Sequence, residues 1–206
     1  KIKSLISKLF QGTPRWHSPR TIYNAAPPPL QTTIATKFLT SLYNPNLALH
    51  TASGKSLNTE QKVIKAIARY IGWDEFSAGG IFTWGGKATT MYAIKLGLTR
   101  CSPSSSKHGI KDDVVVISTD AGHPSHISDA EWLGIGSSNV IRLGADQNTK
   151  IDLVQLEETV RSCVTQGKKI AAIIISGGTT NDMMVDPIDR VVKLRDSLVR
   201  EFSMGY

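Results

Sequence analysis

A chain of 206 residues with 40% hydrophobic and 20% charged side chains is long enough for one substantial core, or for a large piece of a bigger one, and too apolar for wholesale disorder. Its formal charge of +7 is scattered, with no run that interleaves lysine or arginine with aromatics, so it reads as solvated surface and no nucleic-acid partner is expected. Cys101 and Cys163 have neither zinc nor disulfide spacing, and no apolar run approaches the ~20 residues that span a bilayer or the h-region of a signal peptide, so the expected home is the reduced cytoplasm, with no membrane.

Along the chain, Ile2, Leu5, Ile6, Leu9 and Phe10 recur at helical spacing and predict a short amphipathic helix, read as an arm packed on a partner subunit. Pro14 to Pro29 reads as extended, because Pro27-Pro28-Pro29 fix φ near polyproline II. A helix from Leu30 to Tyr43 follows. Asn58 with Gln61 looks like a capping pair, opening a helix whose buried stripe would be Val63, Ile64, Ile67, Ala68 and Ile71. Past the break at Ala78-Gly79-Gly80, apolar runs at Ile81 to Thr83, Val114 to Thr119, Val140 to Leu143 and Ile170 to Ser176 alternate with helical segments near Gly86 to Leu98, Ser125 to Leu133, Asp152 to Val164 and Pro187 to Phe202. The alternation predicts an α/β fold, a mainly parallel sheet with helices on both faces. Residues 1–54 are read as an N-terminal arm and helix segment, and 55–206 as the α/β domain. Ser102 to Ser106 reads as a surface loop.

In open α/β sheets ligands gather beyond the carboxyl ends of the strands, and three segments fall at such ends. Thr83-Trp84-Gly85-Gly86-Lys87-Ala88-Thr89-Thr90 joins a predicted strand to a helix; its glycines permit close backbone approach, and a helix start with Lys87 nearby suits a phosphate. It is not a nucleotide P-loop, since Ile81 stands where the first glycine belongs and Ala88 where a magnesium-binding hydroxyl belongs. Thr119-Asp120-Ala121-Gly122-His123-Pro124-Ser125-His126 carries an imidazole that can stack on a flat cofactor or exchange protons near neutral pH. A metal shared by His123 and His126 lacks a third ligand in the sequence, and a Ser-His-Asp triad has no nucleophile elbow. Ser176-Gly177-Gly178-Thr179-Thr180-Asn181 leaves the most hydrophobic strand, and Asp186-Pro187 reads as the cap and first turn of the next helix. Each segment also has a plain reading as a turn.

The order and spacing of these segments resemble those of the group II pyridoxal-phosphate amino-acid decarboxylases, from about His17-Ser18-Pro19-Arg20 to the C-terminus. Thr83-Trp84-Gly85-Gly86 is similar to the family's T-S-G-G-S-E-A-N turn, Thr119-Asp120 through His123 to its S-D-x-x-H, and Gly178-Thr179-Thr180 with Asp186-Pro187 to its G-T-T and D-P. The resemblance implies the large domain of pyridoxal-phosphate fold type I, the cofactor pyridoxal 5'-phosphate, an amino-acid substrate that loses its α-carboxylate as CO₂, and a homodimer with its sites at the subunit interface. On this reading Gly85, Gly86 and Lys87 surround the phosphate, His123 covers the ring and serves as the catalytic residue, and Thr180 contacts the cofactor. Lys87-Ala88-Thr89 departs from Ser-Glu-Ala, so charge would replace a hydroxyl at the phosphate. The family's H-V-D-A aspartate and Schiff-base lysine would lie beyond Tyr206, so this chain alone is expected to be inactive, the remainder coming from a missing C-terminal portion or a second chain. Another fold type I reaction (aldolase, desulfurase or transaminase) and a non-catalytic remnant stay open, as does the substrate, although His17 to Pro29 lacks the aromatic-rich stretch of aromatic decarboxylases.

Overall fold

The structure, a computed structural model, describes residues 1–14, 18, 20 and 28–203. The extended reading of Pro14 to Pro29 and the His17 end of the resemblance fall mostly outside the described residues. The chain divides into two units, Lys1–Ile81 and Phe82–Tyr206.

In the first unit, α1 (Ile2–Leu9) follows from its i, i+3, i+4, i+7 apolar repeat, yet Ile2, Leu5, Ile6 and Leu9 are all exposed. α2 (Gln31–Tyr43) also buries none of its residues; it stops at Asn44, whose φ of 42° is left-handed and whose N–H donates to the Thr40 carbonyl at 2.8 Å, a helix ending that asparagine tolerates. After the single turn α3 (His50–Ser53), α4 (Ser56–Tyr70) begins two residues before the expected cap and has no side-chain cap. With Ser56 already helical, Asn58 lies inside the first turn and lacks the non-helical backbone that capping requires. Of the expected stripe only Ile64 and Ala68 are buried, while Val63, Ile67 and Ile71 are exposed. A Cβ on Gly80 would stand 3.1 Å from Ile64 Cγ2, so the glycine lets the chain close on that buried stripe.

The second unit runs α5 (Gly86–Cys101), α6 (Ser105–His108), β1 (Val114–Thr119), α7 (Ser125–Trp132), a 3-10 turn at Ser137–Asn139, β2 (Val140–Leu143), α8 (Leu153–Thr165), β3 (Lys169–Ile173) and α9 (Ile188–Glu201). Its sheet has the order β2-β1-β3 with every pairing parallel. β1 is buried at all six positions, as a central strand covered on both faces requires. Strand alternation sends Val114 and Val116 to one core with Ile94 and Leu98 of α5 and Ala130 of α7. Val115 and Ile117 go to the other, with Leu156 and Val160 of α8 and Val191 and Leu198 of α9. The expected α/β class with helices on both faces is therefore the observed one.

Between β1 and β3 the register slips: Val115 pairs with Ile170 but Val116 with Ala172, leaving Ala171 as the extra residue of a bulge. Ala171 and Ala172 both join the α5 core as a result, and a Cβ on Gly97 of α5 would meet the Ala171 carbonyl oxygen at 1.8 Å. Only glycine admits that helix–strand approach.

Three expectations give way. Ile81 to Thr83 is not a strand; a strand exists through a neighbour's ladder, and this segment pairs with none of β1, β2 and β3. β3 ends at Ile173 rather than Ser176, because Ser176 N–H donates instead to Asp186 at 2.6 Å. Ser102 to Ser106 is not simply surface, since Ser102 and Ser105 are buried and the Ser102 hydroxyl donates to Asp112.

Candidate functional site

The first motif forms the start of α5. Gly85 precedes the helix with φ 146°, ψ 169°, a conformation L side chains rarely adopt, and no side chain caps the helix. The turn is pinned from behind: the Thr83 and Thr89 hydroxyls lie 2.6 Å apart, and both reach the Gly85 carbonyl, at 3.1 and 3.3 Å. In front there is room, because a Cβ on Gly85 or Gly86 would meet nothing within 4 Å. First-turn N–H groups have no intrahelical acceptor, and together with the helix dipole they are a donor set that suits an anion. Lys87, on the same turn, holds Nζ 5.1 Å from the Trp132 ring centroid, which ties α5 to α7 through a cation–π contact.

The second motif is the loop from β1 into α7. Arg142 of β2 clamps its start, donating from Nη2 to the Thr119 and Asp120 carbonyls at 3.3 and 2.9 Å while Nε lies 3.3 Å from Asp120 Oδ1. Gly122 N–H donates to Thr119 Oγ1 at 3.0 Å. His123 is exposed and its Nδ1 accepts the Ser125 N–H at 3.1 Å, which leaves Nε2 as the nitrogen that carries the proton of the neutral ring.

The third motif leaves β3 beside the second: a Cβ on Gly122 would be 3.5 Å from Ser176 Oγ. Asp186 was read as a helix cap, but it makes no cap to α9. Its two oxygens accept Ile151 N–H at 2.7 Å and Ser176 N–H at 2.6 Å, so it buckles three segments together. Within the threonine pair the roles divide. Thr179 is buried, donating to Asp182 and accepting Met184 N–H at 3.1 Å. Asp182 also accepts the Thr149 hydroxyl at 2.5 Å, and these two hydroxyls, Thr149 first, hold its carboxyl below the ordinary value. Thr180 is exposed on the turn so formed.

The structure thus brings Gly85, Gly86 and Lys87 beside α7, and the His123 loop beside the start of the loop that carries Thr180. Sequence reasoning missed Arg142, Asp182 and the burial of a polar group in which His126, weighed only as a metal ligand, joins Ser118 and Asp129. The last was legible: His126, Asp129, Ala130 and Leu133 stand at i, i+3, i+4, i+7, the inward face of α7. Burial, then His123 and Arg142, lowers the His126 pKa. Burial raises that of Asp129 against the pull of Lys87 and His123. Among the described residues no three His, Cys, Asp or Glu side chains form a metal-ligand cluster, and no helix is long and apolar enough to cross a membrane.

No protein-family model matches the chain. Over 163 residues it is 27% identical to an acidic amino acid decarboxylase of Xenopus tropicalis, covering 78% of this chain and 32% of that protein. The chain therefore spans about a third of the length of that relative. Its fold matches the crystal structure of mouse CSAD with a TM-score of 0.87 at 20% identity, over 95% of this chain and 41% of that one. It also matches Oryza sativa TDC determined with PLP and tryptamine, with a TM-score of 0.76 at 18% identity, over 95% of this chain and 42% of that one. The chain has relatives among the amino-acid decarboxylases, and its α/β fold is that of the pyridoxal-phosphate fold type I decarboxylases.

Proposed function

We propose that the whole protein is a pyridoxal-phosphate-dependent amino-acid carboxy-lyase, a cytoplasmic homodimer, and that this chain forms its cofactor cradle. The observation that carries the reading is the uncapped start of α5, where a Cβ on Gly85 or Gly86 would meet nothing within 4 Å, with Lys87 of that turn lying over Trp132 of the helix that the His123 loop leads into. Residue type and space both fit a phosphorylated ring: the first-turn N–H groups and Lys87 would hold the phosphate. His123 would cover the ring, its orientation set by the Ser125 N–H on Nδ1, leaving Nε2 to position a substrate or hold a proton. Thr180 would meet the cofactor from the third loop, whose shape Asp182 and Asp186 maintain. The bound cofactor supplies an electron sink for the pair left behind when a carboxylate departs as CO₂.

The test uses the full-length protein. Reconstituted with pyridoxal phosphate it should turn yellow and release CO₂ from one member of an amino-acid panel, acidic substrates first. Gly86→Val, which adds bulk where nothing stands in the protein's own way, should weaken cofactor binding at least tenfold, about 1.4 kcal/mol, with unfolding unchanged. His123→Ala should cost roughly 10²-fold or more in rate. A full-length protein that stays colourless with added cofactor and releases no CO₂ would refute the proposal.

A further inference from the structure

Three polar side chains are sealed between α7 and the sheet. Ser118 follows Val114 and Val116 in the alternation of β1, toward the α5 and α7 face, and it is 0% exposed. On α7, His126 is 7% and Asp129 0% exposed. Ser118 Oγ, His126 Nδ1 and both oxygens of Asp129 have no hydrogen-bond partner among the described residues. A buried carboxylate without hydrogen bonds is sustainable only when protonated or when a cation answers it. Lys87 is the cation whose field reaches Asp129 most strongly; its ammonium rests over Trp132, one turn further along α7. The same Lys87 sits on the first turn of α5, where the open space in front of Gly85 and Gly86 lies. One ammonium thus has two suitors, an anion outside and a carboxylate within.

We propose that Asp129 is a proton-gated counter-charge of the α5 anion cradle: it holds a proton when a tetrahedral oxyanion occupies the cradle, so that anion binding draws a proton onto Asp129. This rests on reading Gly85-Gly86-Lys87 as an anion site. With Asp129 ionised, its charge competes for Lys87 and repels the incoming anion; protonated, it does neither. Burial already pushes the Asp129 carboxyl up, and a bound anion pushes it further. The sign follows. Below the value in the anion-free protein Asp129 is protonated in both states and binding is unaffected. Between the anion-free and anion-bound values, binding takes up a proton and affinity falls as pH rises, by at most tenfold per pH unit. Other groups facing this space are Lys87 from α5, His123 from the entering loop, His126 one turn earlier on α7, and Arg142 of β2, which acts on His126 and pairs with Asp120. His126 adds its own pH dependence, which persists when Asp129 is removed.

Titration calorimetry of the full-length protein with sulfate, which does not itself titrate near neutrality, reads the linkage in buffers of different ionisation heat from about pH 5.5 to about pH 8.5. Wild type should take up more protons per sulfate than Asp129→Asn. The variant should bind sulfate about tenfold more tightly at the alkaline end, one unit of displaced pKa being tenfold, and equally at the acid end. Pyridoxal phosphate should show the same difference, and pyridoxal, which lacks the phosphate, should not. The carboxyl-carbon resonance of Asp129 in wild type needs no variant, and its titration midpoint should rise on adding sulfate. Sulfate binding with identical proton uptake in both proteins, or a midpoint that stays put, overturns the role of Asp129 and leaves the cradle standing. No sulfate binding at any pH overturns both.

Discussion

Single carboxylates do much of the organising here, in ways their neighbours in sequence do not announce. Asp186 stands before a proline at a helix start, where a cap is the natural expectation, yet its oxygens reach Ile151 and Ser176, 35 and 10 residues away. Hydrogen bonds to a charged acceptor contribute about 1.5–3 kcal/mol each, and Asp186→Ala would leave two N–H groups without an acceptor. It should therefore lower unfolding stability in urea by about 3 kcal/mol or more, while Asp189→Ala, exposed on α9, should change it little. An Asp186→Ala protein as stable as wild type would mean that the buckle is incidental. Thr179 and Thr180, adjacent in sequence, divide in the same fashion, one buried as a strut and one exposed. Residue type proposed both; only the distance to Asp182 separates them. Asp129 and His126 are the converse case, since their helical spacing with Ala130 and Leu133 marked the inward face, while polarity argued the other way.

At the scale of elements, periodicity carried the reading wherever a run was long. α2, α5, α8, α9, β1 and β2 lie within a few residues of the expected bounds, because a 3.6- or 2-residue apolar repeat is a local property. Asp152 opens α8 by accepting the N–H groups of Val154 and Gln155, as an N-cap carboxylate does. A short run is decided by pairing: the four residues of β2 find a partner in β1, whereas Ile81 to Thr83 has strand-like residues and pairs with no strand. Gly97 offers the clearest contest between local and tertiary terms. Alanine is better than glycine inside a helix by about 1 kcal/mol, so propensity alone predicts that Gly97→Ala stabilises α5. A Cβ there meets a backbone oxygen at 1.8 Å, and overpacking of this kind costs about 1–3 kcal/mol or more. The variant should lower the thermal midpoint; a raised midpoint would show that α5 and β3 separate at little cost.

For the molecule as a whole, the first unit leaves its apolar stripes uncovered. Ile2, Leu5, Ile6 and Leu9 on α1 and Ile34, Phe38, Leu39 and Leu42 on α2 are all at least half exposed, and each such side chain is worth about 1.5–3 kcal/mol on full burial. That surface supports the proposed homodimer, in which the arm packs on a partner subunit. Leu5→Asp with Leu9→Asp should then convert the sedimenting dimer to monomer without altering the helix content of the second unit. A wild type that sediments as a monomer, or a double variant that remains dimeric, would count against the arm. By itself the amino-acid sequence determined the α/β class, a parallel sheet with helices on both faces, and the positions of the three loops, since hydrophobic period, glycine and proline act within a few residues of where they stand. Tertiary structure alone decided the bulge at Ala171 that phases β3 onto both cores, the Asp186 buckle, and the approach of Lys87 on α5 to Trp132 on α7. Each of these joins groups whose separation along the chain is many times their separation in space, and no local pattern encodes which distant partner a side chain will meet.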